Sequence, residues 1–378
     1  MKFIHISDLH IGLHLMNRDL LEDQRFVLNQ ITTYIKQNKV DAILIAGDIF
    51  DKSIPAADAV ELFDTFMNDL HNADPDMEIC VISGNHDSKV RLDMYREILG
   101  SEHIHMIGKP PETKGDHMAH ITLTDEYGPV TFWMLPYVKP NMVFDVIAKD
   151  SDQYISYEEA IKRLIQREPI NPKERNVFIG HQFFISPDQT PDKIERADSE
   201  SVIFGNADVI KADVLDIFDY AALGHIHKPM ALNRETVRYS GTPLAYSFSE
   251  AEHEKGFLVI EMKEKGNIKI EKEELKPLRK MKVVKGSLQE VLSEASDDYA
   301  SVTLSEPSTV DKVDRIRAAF PNLLSLKSTY SSPSVNYASA EDMVSYAPMD
   351  MCRSFLQEMT DKEEAILTDI INSLEDAS

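Results

Sequence analysis

The sequence has little cysteine and no long apolar run. Only two cysteines, Cys80 and Cys352, occur among 378 residues. Because they lie far apart in different kinds of segment, no disulfide framework is expected and a reducing compartment is favoured. No stretch of about 18 uninterrupted apolar residues occurs, which argues against a membrane-spanning helix. The start of the chain, Met1–Asp8, runs directly into a strand-like pattern without the basic segment and apolar core of a signal peptide. These absences predict a cytoplasmic protein that does not contact a membrane.

Basic residues are also scarce relative to acidic ones. The chain has 40 Lys and Arg against 64 Asp and Glu, a formal net charge of −24. Proteins hold nucleic acid mainly through Lys and Arg contacts with phosphates, so this chain alone is not expected to bind DNA strongly. If DNA is the substrate, bound metal ions or a partner subunit must supply much of the attraction.

The hydrophobic pattern predicts a mixed α/β (α+β) fold, with two sheets packed face to face and helices on the outside. Short apolar runs alternate with amphipathic helical patterns, as expected for strands buried between helices. The predicted strands are Phe3–Ile6, Val40–Ala46, Glu78–Ile82, Val130–Pro136, Asn176–Ile179, Tyr220–Leu223, Val237–Tyr239 and Gly256–Met262. The predicted helices are Leu20–Lys36, Ala56–Leu70 and Lys89–Leu99.

Three regions are expected along the chain. Residues 1–276 would form the main domain, and residues 277–327 read as a compact β-α-β-α-β unit. Residues 328–378 begin with a serine-rich linker and continue as an acidic helical tail that bears several methionines. An acidic amphipathic tail after a linker is typical of a segment that docks on a partner, although ordinary helix packing gives the same pattern.

Five polar clusters stand where predicted strands end. In chain order they are Asp8-Leu9-His10, Gly47-Asp48-Ile49-Phe50-Asp51, Gly84-Asn85-His86-Asp87, Gly180-His181 and Gly224-His225-Ile226-His227. Ligand crevices of α/β sheets lie beyond the carboxyl ends of the strands, so the five clusters are expected to surround one hollow. Four of them carry a glycine just before the polar residue, which permits a sharp turn or a close approach of backbone.

The chemistry of these clusters points to metal ions. They offer imidazole, carboxylate and one amide, with no thiolate, a set that suits manganese or iron and disfavours a structural zinc site. There are enough ligands for two ions, about 3.5–4 Å apart, which can clamp a phosphate and lower the pKa of a water molecule. The sequence therefore predicts a phosphoesterase with two divalent ions, manganese first, with iron or magnesium as alternatives.

The ordered set D-x-H, G-D-x-x-D, G-N-H-D, G-H and G-H-x-H resembles the calcineurin-like metallophosphoesterases. This resemblance implies a first metal ion on Asp8, His10, Asp48 and His227, with Asp48 bridging to a second ion on Asn85, His181 and His225. It further implies that His86 faces the scissile phosphate and protonates the leaving oxygen, with Asp87 as its orienting partner. Asp51 stands where relatives of one nuclease branch outside bacteria usually carry His, and would position a metal-bound water molecule or another ligand.

The flanking segments resemble a narrower branch, the SbcD-type nuclease subunits of bacteria. The segments that carry this likeness are Lys2–Gly12, Gly47–Asp51, Tyr239–Phe248 and Lys255–Phe257. The likeness implies cleavage of double-stranded DNA ends and hairpins, in DNA repair, recombination and replication, together with an SbcC-type coiled-coil ATPase. It also implies that residues 277–327 form a capping domain, that the tail docks on the ATPase, and that the chain forms a homodimer, through Ala57–Leu70 and Lys89–Leu99.

Other interpretations of single residues stay open. Asp51 would cap the turn before Pro55, and Asp87 would cap the helix that follows it. His103-Ile104-His105 has the same H-x-H form as the fifth cluster but lacks its glycine and long apolar strand. His5 alternates into a strand and reads as a core histidine, and His14 reads as solvent-facing.

Two other functions remain as alternatives. The same core motifs serve protein phosphatases and small-molecule phosphodiesterases. A small-molecule enzyme would not obviously need the hundred or so residues beyond the catalytic region. A non-catalytic scaffold would require missing ligands, whereas each residue of the family pattern is present.

Overall fold

The structure of this chain is a computed structural model. It describes residues 1–16, 18–94, 96–190, 208–329, 349, 353 and 360–375. The chain divides into two compact units, residues 1–327 and 328–378. None of the helices in the described part of the chain combines the length and apolar character needed to cross a membrane.

Two six-stranded sheets form the centre of the first unit. The strands of the first sheet, in spatial order, are β16 (Ile268–Glu274), β15 (Gly256–Met262), β1 (Lys2–Ile6), β4 (Ala42–Ala46), β5 (Glu78–Ile82) and β6 (Ile104–Ile107). Those of the second are β13 (Met230–Ala231), β14 (Val237–Tyr239), β12 (Tyr220–Gly224), β9 (Arg175–His181), β8 (Gly128–Leu135) and β7 (Ala119–Asp125). Each sheet contains four adjacent parallel strands. In the first sheet the antiparallel strands β15 and β16 stand at one edge, and in the second sheet the antiparallel strands β13 and β7 stand at the two edges.

The sheets pack on each other because successive side chains of each central strand point to opposite faces. In β4, Ala42, Leu44 and Ala46 join the core between the sheets, while Ile43 and Ile45 face the helices. In β12, Tyr220 and Ala222 face the other sheet. The outer faces are covered by α1 (Leu21–Gln37) and α2 (Ala57–Ala73) on one side and by α5 (Pro140–Ile147) and α6 (Tyr157–Gln166) on the other. The predicted two-sheet α/β architecture is thereby confirmed.

The β-α-β-α-β elements follow at the end of the first unit. Their strands β17 (Met281–Gly286), β18 (Tyr299–Leu304) and β19 (Leu323–Ser328) form one sheet, with α7 (Leu288–Ser293) and α8 (Val310–Ala319) between them. Met281 and Tyr299 share a small hydrophobic cluster with Leu20, Val27 and Tyr246 of the main domain. The separation of residues 277–327 as a domain of its own stays a prediction.

The single predicted helix over Lys89–Leu99 is wrong. The structure has two short helices there, α3 (Lys89–Leu92) and α4 (Arg96–Gly100). The first ends at Asp93, whose Oδ1 accepts a hydrogen bond from the amide of Gly108 at 3.2 Å. The backbone at Gly108 approaches so closely that a Cβ there would lie 2.0 Å from the carbonyl oxygen of Lys89. This long-range contact, which the local pattern does not contain, ends the helix.

Several elements had no counterpart in the sequence prediction. They are the edge strands β6, β7 and β16, the helices α5 and α6, and the short strand pairs β2 (His14–Leu15) with β3 (Arg18–Asp19) and β10 (Phe184–Ile185) with β11 (Ile210–Lys211). Edge strands expose one face and carry charged residues, as in the Lys- and Glu-rich β16, so their apolar signal is weak. The second unit contains α9 (Asp361–Glu375), and the predicted linker beyond residue 329 and most of the tail before residue 360 lie outside the described residues.

Candidate metal centre

The five clusters meet where the central strands of both sheets end. Strands β1, β4 and β5 of the first sheet lead into the clusters at Asp8, Asp48 and Asn85. Strands β9 and β12 of the second sheet end at His181 and Gly224. Backbone hydrogen bonds join the first two clusters, since Asp8 N–H donates to Gly47 O and His10 N–H to Asp48 O, each at 3.0 Å.

Asp8, His10 and His227 form the first group with the spacing of metal ligands. One ligand atom of each lies within 4.8 Å of the others, and all three residues are buried. The Nε2 atoms of His10 and His227 are 3.2 Å apart, and His10 Nε2 lies 3.7 Å from Asp48 Oδ2. Lone pairs of two imidazoles that converge on one point favour a cation between them.

A second group surrounds the other side of Asp48. Asp8, Asp48 and His181 again have ligand atoms within 4.8 Å of one another. His181 Nε2 lies 3.2 Å from Asp48 Oδ2 and 3.1 Å from Asn85 Oδ1. His225 Nδ1 lies 2.9 Å from the same amide oxygen of Asn85. The structure thus brings together all seven predicted ligands, and the Asp48 carboxylate contacts both groups.

The orientation of His181 leaves one ring nitrogen for a ligand. Its Nδ1 lies 2.7 Å from the carbonyl oxygen of Ala46 and donates to it, so the neutral ring presents the lone pair of Nε2 to Asp48 and Asn85. Burial disfavours a charged ring at His181, but the adjacent Asp48 carboxylate raises its pKa to about 9. The position therefore favours positive charge, which a bound metal ion supplies in place of the proton.

The remaining electrostatics also fit divalent cations. Burial raises the pKa of Asp8, whereas the surrounding histidines hold the pKa of Asp48 below its ordinary value despite its burial. Burial lowers the pKa of His10, so its ring is neutral and able to bind a metal ion. The buried Nδ1 of His10 has no hydrogen-bond partner among the described residues. The pocket is buried and its carboxylates favour a positive charge nearby. Its carboxylate, imidazole and amide groups are ligands that suit two divalent ions.

Two of the glycines allow the clusters to pack against each other. A Cβ on Gly84 would lie 2.1 Å from Asp48 Oδ1, and one on Gly224 would lie 2.0 Å from the carbonyl oxygen of Ala46. Both distances are far below van der Waals contact, so neither position accepts a side chain without displacement of the centre. The close approach predicted for these glycines is therefore present.

His86 and Asp51 lie at the edge of the first group. One ligand atom from each of His10, Asp51 and His86 lies within 4.8 Å of the others. His86 Nδ1 lies 2.8 Å from the carbonyl oxygen of Asp51, to which it donates, and the His86 amide donates to Asp48 Oδ1 at 2.9 Å. Burial raises the pKa of the Asp51 carboxyl, against the opposing charges of His86 and Lys52. The interpretation of Asp51 as the cap of the turn before Pro55 stays a prediction.

Asp87 supports the loops of this edge. Its carboxylate accepts hydrogen bonds from the amides of Ile49, Phe50 and Gly84, at 3.0, 2.9 and 2.8 Å. Burial and the charge of Asp48 raise its pKa to about 6, while these three amides favour the ionised form. In the structure the His86 ring is held by the Asp51 carbonyl, and Asp87 fixes the backbone on either side of it. A direct orienting role of Asp87 stays a prediction, and the residue that caps α3 is Ser88 rather than Asp87.

The other histidines singled out in the sequence lie apart from the centre. His103 Nδ1 and His105 Nε2 contact the two carboxylate oxygens of Glu78, at 2.9 and 2.6 Å. His5 is buried between Tyr220 and the carbonyl oxygen of Leu223, as expected for a core histidine. His14 is exposed.

Sequence reasoning missed the residues that support the ligands. Glu250 and Lys255 form a buried ion pair at 2.6 Å, with Glu250 Oε1 3.9 Å from His227 Nδ1. Gln24 and Tyr246 contact the backbone of the first cluster. Glu, Lys and Gln are common on surfaces, and Tyr occurs both on surfaces and in cores, so only their burial, which no local pattern reveals, sets these four apart.

The chain is similar to one protein family and to several known proteins. Residues 1–229 match the family model described as calcineurin-like phosphoesterase. The chain is 30% identical to the D subunit of the nuclease SbcCD from Staphylococcus saprophyticus, over 86% of this chain and 84% of that protein. It is 28% identical to the protein of the same name from Staphylococcus epidermidis, over 96% of this chain and 94% of that one. Among solved structures it is similar to a dimetal phosphatase from Danio rerio, at 13% identity and a TM-score of 0.45, over 73% of this chain and 96% of that one. The family model matches more than half of the chain, which shows that the chain belongs to the calcineurin-like phosphoesterases. It is a metal-dependent phosphodiesterase.

Proposed function

We propose that this chain is the nuclease subunit of an SbcCD-type enzyme and hydrolyses phosphodiester bonds of DNA. The observation that carries the proposal is the pair of ligand groups, Asp8-His10-His227 and Asp8-Asp48-His181, with His86 at their edge. Asp48 Oδ2 joins them, since it lies 3.7 Å from His10 Nε2 and 3.2 Å from His181 Nε2. The two staphylococcal relatives, each named as the D subunit of the nuclease SbcCD and matched along most of both chains, supply the substrate class.

The proposed ligand sets follow the family pattern, in which Asp48 belongs to both. Asp8, His10, Asp48 and His227 hold the first ion, and Asp48, Asn85, His181 and His225 hold the second. Manganese is the proposed metal, with iron and magnesium as alternatives, because the donors are oxygen and imidazole nitrogen. When bound, such a pair lowers the pKa of water and neutralises charge on phosphoryl oxygens.

His86 is the proposed general acid. Its Nδ1–H donates to the Asp51 carbonyl, so the second proton of the charged ring sits on Nε2. This is the proton that His86 gives to the leaving oxygen when the phosphodiester bond breaks. Asp51 and Asp87 assist at the same edge, Asp87 by fixing the backbone around His86 through its three amide bonds.

The proposed assembly is a homodimer together with an SbcC-type coiled-coil ATPase. Val90, Met94 and Ile98 on α3, α4 and the connection between them are more than half exposed, which gives this face an unusual apolar surface for a second copy. The tail after residue 328 would dock on the ATPase. We further propose double-stranded ends and hairpins as substrates, in DNA repair, recombination and replication, with the cytoplasm as the site of action.

The test is manganese-dependent cleavage of a blunt linear duplex by the purified full chain. We expect cleavage that chelator abolishes and that His86→Ala lowers by a factor of about 10² to 10⁴, the usual contribution of a positioned acid. His71→Ala, a histidine in the last turn of α2, is the matched control and should cleave as wild type does.

Two outcomes would redirect the proposal. A chain that hydrolyses a generic phosphodiester but not DNA, with or without the ATPase, would be a phosphatase or small-molecule phosphodiesterase. A His86→Ala variant with unchanged cleavage would remove His86 from the chemistry.

A further inference from the structure

The backbone of residues 8–12, here called the first ligand loop, is held in an unusual conformation. Asp8 and His10 have φ angles of 54° and 43°, in the left-handed region that residues other than glycine rarely adopt. Two proposed ligands of the first metal ion therefore depend on surroundings that keep the loop in place. The surroundings that do so come from distant parts of the chain.

Gln24, on α1, holds this loop through its side-chain amide. Its Nε2 donates to the carbonyl oxygens of His10 at 2.7 Å and Leu9 at 3.3 Å, and its Oε1 accepts from the amide of Gly12 at 3.0 Å. Gln24 is 1% exposed, so water does not compete for these bonds. One side chain thus spans three backbone groups of the loop, on both sides of His10.

Tyr246 completes the support from another direction. Its hydroxyl donates to the carbonyl oxygen of Leu9 and accepts from Gln24 Nε2 at 3.3 Å. The Tyr246 ring also lies edge-on to the His10 ring, with centroids 5.7 Å apart. Gln24 and Tyr246 therefore fix both the backbone and the ring of His10 without being metal ligands themselves.

We infer that Gln24 is a positioning residue for the first metal ion, acting through the first ligand loop. The inference rests on the ligand set proposed above. An amide is suited to this task because it donates and accepts at once, whereas a carboxylate would face the carbonyl oxygens of Leu9 and His10 without a proton to donate. Loss of the amide frees the loop to leave its left-handed conformation, which moves Asp8 and His10 apart from His227.

The test compares manganese binding to the metal-free full chain by titration calorimetry. Gln24→Met keeps the length and burial of the side chain but removes its hydrogen bonds, and Gln24→Glu keeps only the acceptor. We expect both variants to weaken one of the two manganese-binding steps about tenfold or more, as for other residues that orient ligands. The matched control is Gln30→Met, on the same helix, which loses comparable hydrogen bonds to the backbone of Phe26 and Lys276 and should bind manganese as wild type does.

Thermal unfolding in chelator and in saturating manganese separates positioning from general stability. A positioning role predicts that Gln24→Met loses part of the stabilisation that manganese gives the wild type. A purely structural role would lower the melting temperature equally under both conditions and leave both manganese affinities unchanged, and that result would overturn the inference.

If circular dichroism shows that Gln24→Met is unfolded, Tyr246→Phe takes its place, because it removes one hydroxyl that contacts the same loop. Wild-type affinity in that variant would then overturn the inference.

The titration distinguishes an error in the proposed ligand set from an error in the role of Gln24. A wild-type chain that binds no manganese would overturn both. Wild-type binding of two ions with unchanged affinities in Gln24→Met would overturn the role of Gln24 alone.

Discussion

Four non-glycine residues of the metal centre have left-handed or otherwise positive φ angles: Asp8, His10, Asp48 and His225, at 54°, 43°, 49° and 107°. Each such residue costs about 1–3 kcal/mol and persists only where its neighbours determine it. Here the neighbours are backbone and side-chain partners, for example the His225 amide, which donates to Asp8 Oδ1 at 3.0 Å. At the scale of single residues, the centre therefore contains unfavourable backbone conformations, and hydrogen bonds to surrounding groups offset their energetic cost.

A second feature at the residue scale is the pair of ionic contacts made by Asp125, at the end of the strands opposite to the metal centre. Its carboxylate accepts from the ammonium group of Met1 at 2.7 Å and from Arg175, whose side chain is 2% exposed. The hydrogen bond from Arg175 and the ammonium group of Met1 hold the pKa of Asp125 well below its usual range, although partial burial opposes them. A carboxylate with a lowered pKa in the folded state stabilises the fold above its unfolded pKa of about 3.9, and this contribution fades as pH falls towards the folded pKa.

We accordingly expect Asp125→Asn to lower the free energy of unfolding at pH 7. The difference from wild type should shrink as pH falls below about 4, because the Asp125 carboxylate of the unfolded wild-type chain then takes up a proton that the folded chain does not bind. Urea unfolding at a series of pH values measures this. Asp150→Asn, at an exposed turn after α5, is a control with a small effect, and a difference that stays constant down to pH 3 would contradict the linkage.

At the scale of elements, α1 connects the main domain to the sheet of β17, β18 and β19. Asp23 is buried on this helix, where its Oδ2 accepts from Arg279 and from the hydroxyl of Tyr299, each at 2.8 Å. Burial and the adjacent Asp23 carboxylate raise the pKa of Tyr299 to about 12, so the hydroxyl keeps its proton and donates. The neighbouring Gln24 faces the first ligand loop, so one turn of α1 contacts both regions.

Removal of the Tyr299 hydroxyl should weaken the attachment of the sheet of β17, β18 and β19 to α1. Tyr299→Phe keeps the ring in its hydrophobic cluster but deletes a hydrogen bond to a charged group, an expected loss of about 1.5–3 kcal/mol in unfolding free energy. Chemical denaturation measures the loss, with Tyr154→Phe at an exposed position as the control. A change within about 0.5 kcal/mol, as for ordinary surface substitutions, would show that the hydroxyl contributes little.

At the scale of the whole molecule, the net charge of −24 opposes the proposed binding of DNA. Repulsion between this charge and phosphates would leave bound metal ions and the proposed partner to supply the attraction. The isolated chain should therefore bind duplex DNA weakly, with a Kd above about 1 µM at physiological salt, and more weakly still as salt rises from 50 to 200 mM. Fluorescence anisotropy with the His86→Ala variant in manganese avoids cleavage, and nanomolar binding without the partner would contradict this expectation.

The proposed homodimer is a second whole-molecule property. Val90→Asp places a charge in the exposed apolar face of α3, so we expect it to raise the dimer dissociation constant at least tenfold because the charge would be buried in the interface. Sedimentation velocity over a range of concentrations measures this. Val310→Asp, an exposed valine at the start of α8, is the matched control and should remain dimeric. Equal dissociation constants for the two variants would place the dimer interface elsewhere.

The sequence by itself determined the central strands and indicated the residues proposed as ligands. Alternation of apolar residues and the polar clusters that follow are encoded within a few adjacent positions, so Glu78–Ile82, Val237–Tyr239 and Gly256–Met262 were predicted to the residue. The edge strands β7 and β16 escaped prediction because about half of their residues face solvent. The break after Leu92 escaped because its cause lies at Gly108.

Only the tertiary structure decided which atoms meet. His10 and His227 are 217 positions apart, and their 3.2 Å contact depends on how two separate sheets pack. The same packing gives the His86 ring its bond to the Asp51 carbonyl and brings Gln24 and Tyr246 to the first ligand loop. Such contacts join segments whose local patterns are independent of each other, so their partners are fixed by the burial of both sheets and not by any stretch of sequence.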